Sequence, residues 1–196
     1  MYLVVALTVA PRSNADREGA LIGQTELVSD DDTFSTERLE LSPLTPSDTE
    51  DVAELYSDPE VARYVGGERL TPQIIPQQVE SFAAEWAERG YGQSAVRERG
   101  TGRFIGRIGL HFWEHWNEVE LGYVLRADAQ GRGFASEGSR AWIRRARDQG
   151  IAKRLIANIH PENAASIGLA RKLGFAFERE DFVPSGLPTL IYRLDL

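Results

Sequence analysis

Residues 125–136 read LRADAQGRGFAS, with glycines at 131 and 133 and a helical pattern that begins near Phe134. Two closely spaced glycines let a backbone approach a ligand, because they lack a Cβ and tolerate positive φ. The first N–H groups of the following helix have no intrahelical partner, and the positive end of the helix dipole lies beside them. The combination predicts an anion site, and the anion that suits it is a phosphate or pyrophosphate. Charge gathers in the same stretch. Residues 126–154 hold eight Arg or Lys against three Asp or Glu, a surplus of five. The whole chain has 22 Lys or Arg, 30 Asp or Glu and a net charge of −8, so the remainder carries −13. A solvated helix face explains those arginines as well as a ligand does, but it does not explain the glycines. A nucleoside triphosphate loop needs GxxxxGK followed by Ser or Thr, and no Lys follows these glycines. A dinucleotide fingerprint would put its third glycine where Ser136 stands and would begin directly after a strand, not five residues past Leu125.

The elements that must hold this loop follow from hydrophobic period. Residues 38–42 alternate as a short strand, and Thr45 stands as a cap before a helical segment opened by Pro46. Val52, Leu55 and Tyr56, then Val79, Phe82, Ala83 and Trp86, recur at helical spacing, which predicts helices through 51–56 and over 77–89. Strands follow at 93–97, 104–113 and 118–125, the last two forming an antiparallel hairpin. A helix over 134–149 ends at Gly150, a strand covers 154–159, a helix over 163–173 stops at Gly174, and strands at 175–180 and 189–194 close the chain. The order is that of an α/β layer structure on a mixed, mostly antiparallel sheet of seven strands with four helices.

Composition narrows the function. With 196 residues the chain fits one domain, and with no Cys it has no disulfide framework, no thiolate nucleophile and no Cys-ligated metal. Three histidines (His111, His115, His160) do not make a His-rich metal site, so no metal is expected. Overall acidity argues against non-specific nucleic-acid binding. No apolar run approaches the roughly 18 residues of a membrane helix, and the expected setting is cytoplasmic. Residues 2–10, YLVVALTVA, are apolar, but no Lys or Arg precedes them and Pro11 follows, unlike a secretion signal. Residues 1–33, ending in the acidic run Asp30, Asp31 and Asp32, are expected to form a flexible extension of a domain spanning 34–196. The apolar residues 2–9 could add a strand to a sheet edge or cover a patch on a second subunit, which leaves a homodimer open.

Gln130-x-x-Gly133-x-Ala135 resembles the Q/R-x-x-G-x-G/A pyrophosphate loop with which the GNAT acetyltransferase superfamily binds coenzyme A. Asn163-Ala164-Ala165-Ser166, followed by Lys172-Leu173-Gly174-Phe175, resembles a second signature of that superfamily. Thr36-Glu37-Arg38-Leu39-x-Leu41-x-Pro43 and Glu120-x-Gly122-Tyr123-x-Leu125 are similar to the first and fourth strands of its subfamily that acetylates ribosomal-protein N-termini. The resemblance covers about residues 36–183.

It implies the acyl-CoA N-acyltransferase fold, with a V-shaped splay between the fourth and fifth strands (118–125 and 154–159). It also implies acetyl-CoA as co-substrate and an amine as acceptor, acetylated by direct attack on the thioester. Tyr123, Val124, Leu125, Gln130, Gly131, Arg132, Gly133, Phe134, Ala135, Ser136, Asn163 and Ser166 would bind the coenzyme. Glu120 is the first candidate for the base, His111 the second, and Ser166 is a candidate to protonate the leaving thiolate. The tyrosine that often supplies that proton in the family has no counterpart between 161 and 175. Plainer readings stand beside these: Asn163 as a helix cap, Ser166 as a helix-surface hydroxyl, Glu120 as a solvated or ion-paired strand residue, His111 as structural, and Phe112, Trp113 and Trp116 as core and hairpin packing. A non-catalytic coenzyme A sensor with the same fold is the alternative to an enzyme.

Overall fold

The computed structural model describes residues 32–66 and 69–196, so the expected N-terminal extension falls almost wholly outside the described residues. The strands are β1 (Phe34–Ser35), β2 (Leu39–Pro43), β3 (Gln93–Glu98), β4 (Arg103–Trp113), β5 (Glu118–Leu125), β6 (Arg154–Ile159), β7 (Ala176–Phe182) and β8 (Pro188–Asp195). The helices are α1 (Thr49–Ser57), α2 (Pro59–Ala62), α3 (Ile74–Arg89), α4 (Phe134–Asp148) and α5 (Ala164–Lys172). One sheet takes the strands in the order β1-β2-β3-β4-β5-β6-β8-β7. Its neighbours are antiparallel except β5 and β6, which run parallel.

The sheet thus has eight strands where periodicity gave seven, and five helices accompany it where periodicity gave four. The additions are too short to carry a period. β1 has two residues, and α2 has four, set by Pro59 in its first turn and by the Asp58 carboxylate accepting from the Glu60 N–H at 3.0 Å. Pro46–Asp48 forms a 3-10 turn before α1, with the Asp48 carboxylate accepting from the Thr45 N–H at 2.8 Å.

Two apolar layers flank the sheet. Phe134, Trp142 and Ala146 of α4 and Ala170 of α5 pack on Leu39, Leu41, Ile108, Leu121 and Leu155. On the other face Val52 and Leu55 of α1 and Val79 and Phe82 of α3 pack with Phe104, Trp113, Val124 and Ile156. A bulge in β4 decides which side chains go where: the β3–β4 register skips Ile105. One extra residue exchanges the faces of a strand. Beyond the bulge, Arg107 and Trp113 point toward α1 and α3 while Ile108 and Leu110 point toward α4.

β5 and β6 share a single pair of register partners, Glu120 and Ile156, and beyond it toward their C-terminal ends they have none. This is the expected splay. Its base is fastened by the buried Glu118 carboxylate, which meets Arg154 of β6 at 2.9 Å and Arg179 of β7 at 2.8 Å.

Candidate active site

The glycine loop leads from the end of β5 into α4. Gly131 has φ +71° and Gly133 has φ +84°, so both occupy the left-handed region in which a Cβ is strained. Gly133 is the N-cap of α4 and has no side chain to bond the first-turn N–H groups. At α5 the opposite holds, because the Asn163 side-chain oxygen accepts from the Ser166 N–H at 3.1 Å. The start of α4 therefore keeps its donors free for an anion, whereas that of α5 is capped by the protein itself. The Gln130 amide donates to the Leu125 carbonyl at 3.0 Å and ties the loop to the end of the strand.

A brace from the turn between β1 and β2 holds the loop in place. Glu137, in the first turn of α4, accepts from the Thr36 hydroxyl at 2.5 Å, the Arg38 N–H at 2.9 Å and the Arg38 Nε at 2.7 Å. The same guanidinium donates to the Arg132 carbonyl at 3.0 Å. Burial alone would raise the Glu137 carboxyl, but the bonds from Thr36 and Arg38 outweigh it and hold the group below its ordinary value. A carboxyl lowered by folding contributes stability in full above its ordinary value and loses it as pH falls through the lowered one. Arg38→Ala is expected to weaken acetyl-CoA binding about three- to tenfold, roughly 1 kcal/mol, with little change in melting temperature, measured by titration calorimetry and thermal melts.

Between the arms of the splay lies a cleft of about 510 Å³. It is lined by Tyr123, Val124 and Leu125 on the β5 side, by the loop from Gln130 to Ser136 except Arg132, and by Asn163 and Ser166 on the α5 side. Arg132 turns its guanidinium to Glu98 at 2.9 Å and over the Phe134 ring. The Tyr123 hydroxyl donates to the Ser166 carbonyl at 3.1 Å, and burial pushes that phenol well up from its ordinary value. Sequence periodicity missed the opposite lip, Val61, Tyr64 and Val65, since this part of the chain offered only Pro and Gly punctuation. Tyr64 stacks on His160 with ring centres 5.3 Å apart.

Glu120 is fully buried at the point where β5 and β6 meet. One carboxylate oxygen accepts from the Trp113 Nε1 at 2.6 Å, and the other, Oε1, has no hydrogen-bond partner among the described residues. Burial pushes its carboxyl up, offset in part by Trp113, His111 and Arg107. His111 stands directly across from it in the β4–β5 register. The Arg107 guanidinium is also fully buried, donating to the Tyr56 hydroxyl at 2.6 Å and to Gln93 at 2.7 Å. Trp113 packs in the core, as the plainer reading of the aromatic cluster expects, and its indole is the group that bonds Glu120.

A mixed sheet opened between two parallel strands, with an uncapped helix start at the head of the opening, is the arrangement of acyl-CoA N-acyltransferases. Residues 38–176 match the acetyltransferase (GNAT) domain, and the chain belongs to the GNAT acetyltransferase family. YoaA of Bacillus subtilis (strain 168), described as an uncharacterized N-acetyltransferase, is 30% identical over 169 residues, 82% of this chain and 95% of that protein. The acetyltransferase from Agrobacterium tumefaciens C58 superposes with a TM-score of 0.75 at 25% identity, covering 92% of this chain and all of that one. RimL, a ribosomal L7/L12 alpha-N-protein acetyltransferase solved with coenzyme A, superposes with a TM-score of 0.68 at 18% identity over 82% of this chain and 96% of its own. Among the described residues no helix is long and apolar enough to cross a membrane, and no cluster of His, Asp or Glu could hold a metal ion.

Proposed function

We propose that this GNAT acetyltransferase moves the acetyl group of acetyl-CoA to a primary amine, either a protein or peptide N-terminus or a small amine, by direct attack on the thioester. The observation that carries the reading is the cleft itself, which runs from free helix donors along Tyr123 to Leu125 of β5, the strand that also carries the buried, half-satisfied Glu120 carboxylate. The pyrophosphate would sit on the N–H groups from Gly133 to Ser136, and the pantetheine would lie along Tyr123 to Leu125. Asn163, whose side-chain oxygen is spent on the cap, keeps its amide N–H groups for that arm. Holding amine and thioester together in one orientation supplies most of the rate gain.

An amine is protonated at neutral pH, and Glu120 would take its proton through the free Oε1, directly or through water. The N–H of Leu125 would stabilise the oxyanion, and the Ser166 hydroxyl, on the cleft wall, would return a proton to the thiolate. The −13 balance outside residues 126–154 favours a cationic acceptor by its field. The test is free-thiol release from acetyl-CoA by the purified full chain across peptides, polyamines, amino acids and aminoglycosides, with the acetylated product identified by mass. Turnover with at least one amine is expected. Tight acetyl-CoA binding without turnover on any of them would establish the non-catalytic coenzyme A module instead.

A further inference from the structure

Proton balance poses a problem that the buried base does not solve alone. An acceptor arriving as an ammonium ion loses two protons in becoming an amide. One returns to the thiolate sulfur as coenzyme A leaves, and the other must reach water. Glu120 would receive that proton, yet its side chain has no exposed surface. A group beside it that can both accept and release a proton would give it an outward route.

β4 supplies one. His111 faces Glu120 across the strand pair, and directly opposed residues hold their Cβ atoms about 5 Å apart on the same face of a sheet. The imidazole is partly exposed at 14%, and its Nδ1 lies 2.9 Å from the Glu85 carboxylate of α3. The second Glu85 oxygen accepts from the Phe112 N–H at 2.7 Å. β3 begins at Gln93, opposite Gly109, so Phe112 lies past the end of its pairing with β3. Glu85 is thus anchored to the β4 backbone by one oxygen and to the imidazole by the other. An imidazole whose Nδ1 hydrogen is held by a carboxylate keeps its lone pair on Nε2.

We infer that His111, oriented by Glu85, is the exit for the proton that Glu120 takes from the acceptor. The inference rests on the acetyl transfer proposed above. The two side chains share no hydrogen bond, so the proton passes from the Glu120 carboxyl to His111 Nε2 by way of a bridging water, forming an imidazolium paired with Glu85. The imidazolium then gives a proton to water and Glu120 is again ionised. Glu85 is a positioning residue in this scheme, since it acts only through the imidazole.

The test compares four full-length variants with wild type on the best amine found: Glu120→Gln, His111→Ala, Glu85→Gln and Glu85→Asp. His111→Ala should lower kcat about tenfold or more, the lower range of general acid–base effects, with KM for acetyl-CoA unchanged. Added imidazole should restore part of that loss. Glu85→Gln keeps an oxygen for the Phe112 N–H and should hold its melting temperature while losing kcat, and Glu85→Asp should recover activity. A His111→Ala variant with full kcat, or with a loss that imidazole leaves untouched, overturns the exit. If Glu120→Gln is slow while His111→Ala is not, the base stands and the exit fails; if Glu120→Gln is as fast as wild type, the base itself is wrong and the exit falls with it.

Discussion

Glu120→Gln is expected to lower turnover on the order of a hundredfold or more while acetyl-CoA affinity stays nearly unchanged, the usual worth of a general base. The substitution keeps volume and keeps an oxygen for the Trp113 indole, so it alters the charge and little else. Stability should move in the other direction. Burial raises the Glu120 carboxyl in the folded protein, so between its unfolded and folded values the folded state binds more protons than the unfolded one. The cost of ionising this group is absent below the unfolded value and grows as pH rises through the folded value. Glutamine removes that cost, and the variant should melt at or above the wild-type temperature at about pH 8. Lost activity with retained or improved stability separates a chemical role from a packing role. A variant within about threefold of wild type would transfer the role of base to His111 or to a water chain.

Gly133→Val should weaken acetyl-CoA binding at least tenfold, about 1.4 kcal/mol. Valine at φ +84° is strained, and its Cβ would stand 3.4 Å from the Arg38 Nη2 that braces the loop. It would also cover the N–H groups on which the pyrophosphate would rest. Gly131→Ala is the comparison, because it meets the same kind of backbone strain at φ +71° but its Cβ has nothing within 4 Å. The alanine variant should therefore lose melting temperature with a smaller loss of affinity. Titration calorimetry on both variants reads the difference, and unchanged affinity of the folded Gly133→Val protein would remove the loop from the binding site.

The long elements were legible because their side chains obey a period. β4, β5 and α4 alternate or repeat over 8 to 15 residues, and Gly150 and Gly174 mark the ends of α4 and α5 with left-handed turns. The glycine loop was legible for a different reason, since paired glycines between a strand and a helix mark a turn with positive φ, which both of them have. What stayed hidden depends on distance in sequence. The motif Thr36-Glu37-Arg38 carries no hint that two of its residues grip Glu137, about a hundred positions later. Glu85 carries no mark in the sequence that sets it apart, and only the fold brings it to His111, 26 residues later. The bulge that omits Ile105 cannot be read from FIGRIGLHFW, and it decides that Arg107 and Trp113 share a face with Glu120's surroundings.

The single register pair between β5 and β6 has a dynamic consequence. Each of these strands has a full partner on its outer side, β4 for one and β8 for the other. On the inner side, past Glu120 and Ile156, alternate backbone amides face the gap instead of a strand. Hydrogen–deuterium exchange along β5 and β6 should therefore be two-toned in the ligand-free protein, slow at residues bonded outward and fast at those turned inward. Coenzyme A laid in the gap would slow the inward set of β5 and leave the outward set unchanged. The protein would then behave as two half-sheets joined at one point, with the coenzyme as a removable seam.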